Sequence, residues 1–315
     1  RSGGFYSLIR RAYGPYTGFV IGWADWLTYA ADLALKAVVI IEFVSILIPE
    51  SSAWSTPLAI AVTSLFAAIQ LRGIGLGALI QETATSLIGL FVFVLALVLF
   101  FAGATEISAA DSVSVDRSYN DWSLVIATII FTYDGWLYAS YFSGEIQGGP
   151  GAVARSCIKG MVIVIVLYIL LNLALVNSVG LAPLIGSELA LARALELAVH
   201  PAAGTVIVVA AILILLSHQN LEYMTGPRIL QALSEDGFAA RQAGVVGKGG
   251  NPVWAVVFTW AVSVGLILLG GFEFLLLFSV FLFVPLYLAL IIGVLVMRKR
   301  EPDTERPILA WGHPY

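Results

Sequence analysis

Residues 131–145 read FTYDGWLYASYFSGE, directly after the apolar run LVIATII at 124–130. Asp134 and Gly135 therefore fall about mid-way along a segment apolar enough to cross a bilayer. A carboxylate beside a helix-weakening glycine is costly there, because the hydrocarbon offers no partner for a charge or for an unpaired peptide group. Non-helical backbone at that depth is tolerated only where it lines a cavity. The segment thus predicts a helix that opens around Thr132–Gly135. A half-helix starting after Gly135 would present its positive end to an anionic group. Gly135 removes the side chain that would block close approach, and Phe131, Tyr133 and Trp136 stand ready to stack over a bound molecule. The competing expectation is a continuous helix that tolerates Gly135, with Asp134 paired across a helix bundle.

The rest of the chain decides whether a bilayer is the right solvent. Of its 315 residues 60% are hydrophobic and 11% charged, and the mean hydropathy is +0.95. Soluble domains run nearer 45–50% apolar, so this chain has more apolar surface than a soluble core can hide. The net charge of −4 carries no basic footprint for nucleic acid. A single cysteine, Cys157, excludes an internal disulfide and a thiolate metal cluster, and three histidines without paired spacing argue against a metal site. Gly73-Ile-Gly-Leu-Gly77 imitates a nucleotide loop but follows no strand, and no serine sits in a nucleophile elbow. No cofactor is expected.

Crossing the hydrocarbon takes about 20 apolar residues. Eight stretches come near that length: 17–48, 56–71 (short), 76–103, 122–144, 157–179, 203–232, 252–270 and 272–297. Residues 181–200 (LAPLIGSELALARALELAVH) space their charges as a short interfacial helix would. With residue 1 in the cytoplasm, eight crossings place Arg1, Arg10, Arg11, Arg72, Arg155, Lys159, Arg228, Arg241, Lys248, Arg298, Lys299, Arg300 and Arg306 on the inner side. Only Arg117 and Arg193 lie outside. This asymmetry is the positive-inside pattern of a multi-pass protein with residues 1 and 315 both cytoplasmic.

Charges inside spans must face protein or a cavity. Asp32 and Lys36 are four apart on one helix face and are expected to pair, as a structural ion pair or as part of a pathway. Asp25, seven residues before Asp32, shares that face and is read either as lining or as an interfacial anchor. Glu82 is expected to snorkel to the inner surface and Glu42 to meet water outside. His218, Gln219, Asn220 and Glu222 form one polar turn in an apolar helix, expected either to clasp neighbouring helices or to line a substrate path. The break at 132–135 resembles the discontinuous helices of secondary transporters, whose sites lie near the bilayer midplane.

These residues have a familiar arrangement. Ser2-Gly-Gly-Phe-Tyr6 with Arg10-Arg-Ala-Tyr-Gly-Pro15 resembles the cytoplasmic loop and third-helix entry of amino acid–polyamine–organocation superfamily permeases. Phe131-Thr-Tyr-Asp-Gly-Trp136 followed by Gly144-Glu145 resembles their sixth helix, in the branch of bacterial amino acid exchangers and L-type transporter light chains. Gly226-Pro-Arg228 with Asp236-Gly237 resembles the end of the eighth helix. Asn251-Pro-Val253, Phe272-Glu273, Arg298–Pro302, Arg306-Pro307 and Gly312-His-Pro314 resemble the ninth and tenth helices and the loop after them.

The resemblance implies an all-α transmembrane fold of the leucine-transporter (LeuT) type, with two inverted five-helix repeats. Residues 1–104 would hold helices three to five of the first repeat, 119–297 helices six to ten, and 298–315 a cytoplasmic loop. On that map both ends read as internal to a longer chain, with the first two helices and any beyond the tenth missing. It further implies Phe131 as an aromatic gate, Thr132–Gly135 as backbone contacts to a substrate amino group, and Asp25 facing the substrate cavity. The expected activity is secondary active transport of amino acids by alternating access, with neutral ones favoured and no enzymatic step. A cationic amino acid or polyamine exchanger with Asp134 as counter-charge is the first alternative, and a sensor that binds without transport the second.

Ile88 stands where many proton-coupled members carry a lysine, so coupling through that amine is not implied, which favours exchange or facilitated flux. A proton nonetheless stays open as a partner beside the amino acid and the lipid bilayer. Residues 147–151 (QGGPG) depart from the usual charged run. No cysteine lies in the loop from Pro49 to Trp54, so a disulfide-linked heavy chain is not expected.

Overall fold

Pro15 opens a helix of 33 residues, and Gly14 before it takes a φ of 97°. Proline at a first helical position gives up a donor that has no partner anyway. Glycine in the left-handed region ends the preceding helix, its N–H donating to Arg10 O at 2.9 Å. The computed structural model describes residues 4–102, 122, 129, 133, 135, 138–141, 149–185, 187 and 189–304. In chain order its helices are α1 (Gly4–Tyr13), α2 (Pro15–Leu47), α3 (Ser55–Arg72), α4 (Ile74–Phe101), α5 (Tyr138–Tyr141), α6 (Gly149–Val179), α7 (Ala190–Ala198), α8 (Ala203–Glu235), α9 (Val253–Leu269) and α10 (Phe272–Arg300). Short 3₁₀ turns occupy Pro49–Trp54, Ala182–Leu184 and Arg241–Gly244.

Five of these helical segments are long and apolar enough to cross a membrane: Pro49–Arg72, Ile74–Phe101, Gly151–Val179, Ala203–Glu235 and Phe272–Arg300. Val253–Leu269 is apolar but shorter. α2, at 33 residues, has the length, but it carries Asp25, Asp32, Lys36 and Glu42. Helices thus stand at seven of the eight expected stretches, while most of 122–144 lies outside the described residues. Large apolar side chains face outward along α4 and α6, among them Leu87, Leu90, Phe93, Val162, Ile163 and Ile169. Lipid is the solvent in which such helices are stable, since every backbone group is satisfied within the helix.

The chain divides into two compact units. One comprises Arg1–Thr85, Leu137–Ser156 and Ile212–Tyr315. Its axis is α2, which packs against α1, α3, α9 and α10. Small residues make that central position available: Gly22, Ala30, Ala31, Ala34 and Ala37 are buried and let neighbouring backbones approach. Two apolar cores flank α2, one around Tyr6, Trp26, Ile229 and Leu233, the other around Ile40, Ile41, Ile267 and Leu275.

At one end of this unit α1 is held by polar contacts. Tyr6 Oη donates to Asp236 at 2.8 Å, and Arg10 pairs with the same carboxylate. Arg11 pairs with Glu301, and Arg300 Nη1 donates to Ala12 O at 2.8 Å. Ile74 N donates to Gly249 O at 2.9 Å, tying the loop before α4 to the loop after α8. Residues 11 and 301 therefore lie together at one end of this unit. Arg10, Arg11 and Arg300 gather at this end.

The second unit comprises Ser86–Trp136 and Cys157–Ala211. Its core joins Leu95, Ala96 and Leu99 to Ala174, Val179, Ala194 and Leu195. The short helix expected within 181–200 is α7, whose Ala192, Ala194 and Leu195 close this core, while Arg193 and Glu196 pair at 3.4 Å on its exposed side. Its apolar face is thus covered by protein.

Candidate functional site

Tyr133 N–H donates to Ile129 O at 3.1 Å, the spacing of an α-helical turn. Two residues later Gly135 has a φ of 98°. No residue at that angle continues a right-handed helix, and only glycine adopts it without strain. Tyr133 and Gly135 both lie in turns, and Tyr138–Tyr141 is helical. Tyr133 is partly exposed and meets Tyr168 edge-on, with ring centroids 5.2 Å apart. Phe131, Thr132, Asp134 and Trp136 lie outside the described residues, as do Gly144 and Glu145.

Asp25 is only 1% exposed. Tyr141 Oη donates to both its carboxylate oxygens, each at 3.1 Å. Tyr29 packs edge-on against Tyr141 and Tyr138, at 5.6 and 6.0 Å, and Phe5 against Tyr141 at 5.7 Å. The buried carboxylate one turn before Tyr29 thus receives hydrogen bonds from a tyrosine that belongs to an aromatic cluster. Sequence reasoning missed this cluster. The available signals were the i, i+3 pair Tyr138–Tyr141 after the break and the i, i+4 pair Asp25–Tyr29 in α2.

Further along α2, Lys36 Nζ lies 3.2 Å from Asp32 and also pairs with Glu222 of α8. The expected two-residue pair is thus a three-residue cluster. Next to Glu222, Gln219 and Asn220 are fully buried. Gln219 Nε2 donates to Leu33 O at 2.7 Å, and Asn220 Nδ2 to Gly77 O at 2.8 Å. Gln70 donates to Asn220 at 3.0 Å and receives Asn251 Nδ2 on its carbonyl at 2.6 Å. Thr63 and Tyr223 share a hydroxyl contact at 2.7 Å. These bonds join α2, α3, α4 and α8 into one polar layer, the arrangement of a clasp. His218 is the member of this turn that stays exposed. Glu42 is exposed near the end of α2, and Glu82 is exposed early in α4. Among the described residues no cluster of His, Cys, Asp and Glu could hold a metal ion.

An interrupted apolar segment and buried charges between long apolar helices are what a membrane permease presents. Residues 1–315, the whole chain, match the amino acid permease family. The chain belongs to that family. The permease is 24% identical over 322 residues to the serine/threonine exchanger SteT of Bacillus subtilis (strain 168), covering 100% of this chain and 73% of the relative. It is 24% identical over 319 residues to the b(0,+)-type amino acid transporter 1 of Oryctolagus cuniculus, covering 98% of this chain and 65% of the relative. A shorter match, 24% over 168 residues, covers 53% of the chain and 31% of the polyamine transporter PUT1 of Oryza sativa subsp. japonica. The permease is a multi-pass membrane protein.

Proposed function

We propose that the chain forms most of a secondary transporter that moves amino acids across the cytoplasmic membrane by alternating access. Neutral amino acids are the favoured substrates. The observation that carries this reading is the left-handed Gly135 in an apolar segment of a chain from the amino acid permease family. A helix opened there leaves peptide groups unpaired inside the bilayer, and these must be satisfied by protein, water or a bound zwitterion. Phe131 and Trp136 close over the substrate, Thr132–Gly135 contact its amino group, and Asp25 lines the cavity wall. Eight spans in two inverted repeats, residues 1–104 and 119–297, rock around this fixed site, and residues 298–315 form a cytoplasmic loop. No covalent step is involved.

A second reading, transport of cationic amino acids or polyamines, is favoured by the likeness to PUT1 and by the surplus of carboxylate over ammonium in the Asp32–Lys36–Glu222 cluster. Asp134 is its counter-charge. The test is counterflow of labelled serine, leucine, lysine and spermidine in proteoliposomes containing the full-length protein. The main reading expects counterflow of serine or leucine that survives Asp134→Asn. Lysine or spermidine flux that Asp134→Asn abolishes, with neutral flux spared, establishes the second reading, and equal loss of both rejects it. Binding without flux identifies a sensor.

A further inference from the structure

We propose that the corner where α3 turns into α4 and meets the loop after α8 binds the phosphate of an anionic phospholipid, held between Arg72 and Lys248. Both side chains are exposed, and neither makes an ion pair among the described residues. Arg10, Arg11, Lys36 and Arg193, by contrast, each have a carboxylate. Residues 51–81 and 237–272, which build the corner, contain no aspartate or glutamate. Beyond them along the chain, Glu82 stands about two turns into α4. Glu235 accepts from Gln231 at 3.0 Å, and Asp236 pairs with Arg10.

The backbone brings the two cations together. Ile74 N donates to Gly249 O at 2.9 Å. Gly249 packs so closely that a Cβ there would lie 2.8 Å from Gly73 Cα and 3.3 Å from Arg72 O. Chains this close let both long side-chain stems reach one ligand. Lys248 sits in a tight turn, with Gly250 N donating to Gly247 O at 3.0 Å and Gly247 N to Asn251 O at 2.9 Å. Asn251 is 4% exposed and donates to Gln70 O at 2.6 Å and to Gln70 Oε1 at 3.2 Å. Gln70 in turn donates to Asn220 of α8. The turn that carries Lys248 is therefore fastened to the last turn of α3, beside Arg72.

The place of this corner in the fold makes lipid the source of the anion. The membrane-length segments Pro49–Arg72 and Ile74–Phe101 and the shorter apolar helix Val253–Leu269 all have an end here, so the corner stands at the edge of the hydrocarbon layer. Leu71 precedes Arg72, and Val253 and Trp254 follow the Lys248 turn; all three are exposed. Apolar side chains at that depth meet acyl chains, and tryptophan favours the headgroup boundary. An arginine fork grips phosphate oxygens in pairs, and a lysine adds a point charge. An anionic phospholipid satisfies the cations and the apolar side chains at once, whereas a soluble phosphate satisfies the cations alone. Arginine and lysine at a span end also act as topology signals. That role needs no turn pinned beside Arg72.

The experiment releases the full-length protein from bilayers of phosphatidylcholine and phosphatidylglycerol in equal amounts and reads the retained lipid by native mass spectrometry. Wild type is expected to retain phosphatidylglycerol in preference. A cation near an anionic lipid surface contributes about a fivefold gain, so Arg72→Gln and Lys248→Gln should each weaken retention about fivefold and the double variant roughly 25-fold. Lys248→Arg should keep it, and raised salt should release the lipid. Arg155→Gln removes an exposed cation from α6 and should leave retention unchanged. Equal retention of the two lipids by wild type overturns the site without any variant. Wild-type retention in the double variant also overturns it. So does an equal loss in Arg155→Gln, which would mean attraction to total charge. Soluble glycerol phosphate that displaces the lipid at equal concentration would assign the corner to a free phosphate and overturn the lipid. No transport is read, so the outcome is separate from the transport reading above.

Discussion

Lys36→Met should lower the thermal unfolding midpoint of the purified full-length protein sharply, corresponding to about 3–5 kcal/mol, the usual result of breaking a buried ion pair from one side. The magnitude follows from what is left behind. Asp32 has 15% of its side chain accessible and Glu222 1%, so removing the ammonium takes the shared ion-pair partner from two carboxylates that are largely buried. The methionine itself is a good volume match, so packing contributes little to the loss. The double variant Lys36→Met/Glu222→Gln should recover part of it, because one of the two carboxylate charges is then gone and the two changes are directly coupled. A midpoint unchanged by Lys36→Met would mean that the cluster is solvated in the folded protein and that its charges do not oppose each other across a dry interface.

Tyr141→Ala is expected to be comparably severe. Tyr141 is 1% exposed and packs against Phe5 and Tyr29. Truncating a buried aromatic typically costs about 3–5 kcal/mol from lost burial and the cavity left behind. It also removes the hydroxyl that donates to both oxygens of Asp25. Tyr141→Phe separates the contributions: it keeps the ring and should cost only about 1–3 kcal/mol, the effect of a donor withdrawn from a buried carboxylate. Thermal midpoints of the two variants check this order. Equal loss in both would assign the whole effect to the hydroxyl, and no loss in Tyr141→Ala would show that the Phe5–Tyr29–Tyr141 packing does not hold in the membrane.

Helix positions were legible because their signals are local. Pro15 after Gly14 marks the start of α2, Gly73 separates α3 from α4, and Gly270-Gly271 separates α9 from α10. The apolar runs fix the remaining boundaries within a few residues. The Asp32–Lys36 contact was legible for the same reason, since four residues make one helical turn. Its completion by Glu222, 186 residues away, was not, because no spacing rule reaches across separate helices. The bond from Tyr141 to Asp25 spans 116 residues and was hidden in the same way. The role of α7 was half legible: its charge spacing announces an amphipathic helix, but which surface covers the apolar face is decided by tertiary packing. At the candidate site, Asp134-Gly135 in an apolar run announces an interruption, and the left-handed Gly135 is the described residue that expresses it.

The account depends most on the segment 132–135 being an opened, water-reachable stretch that substrate occupies. Substrate protection of a single cysteine tests this directly. Thr132→Cys, in the full-length protein with its native cysteines, Cys157 included, replaced by serine, is exposed to a water-soluble thiol reagent with and without the amino acid that the protein exchanges. The account predicts that the introduced thiol reacts and that saturating substrate slows the reaction, while a non-transported amino acid does not. A thiol that is inert, or that reacts at the same rate whether or not a transported substrate is bound, would contradict it.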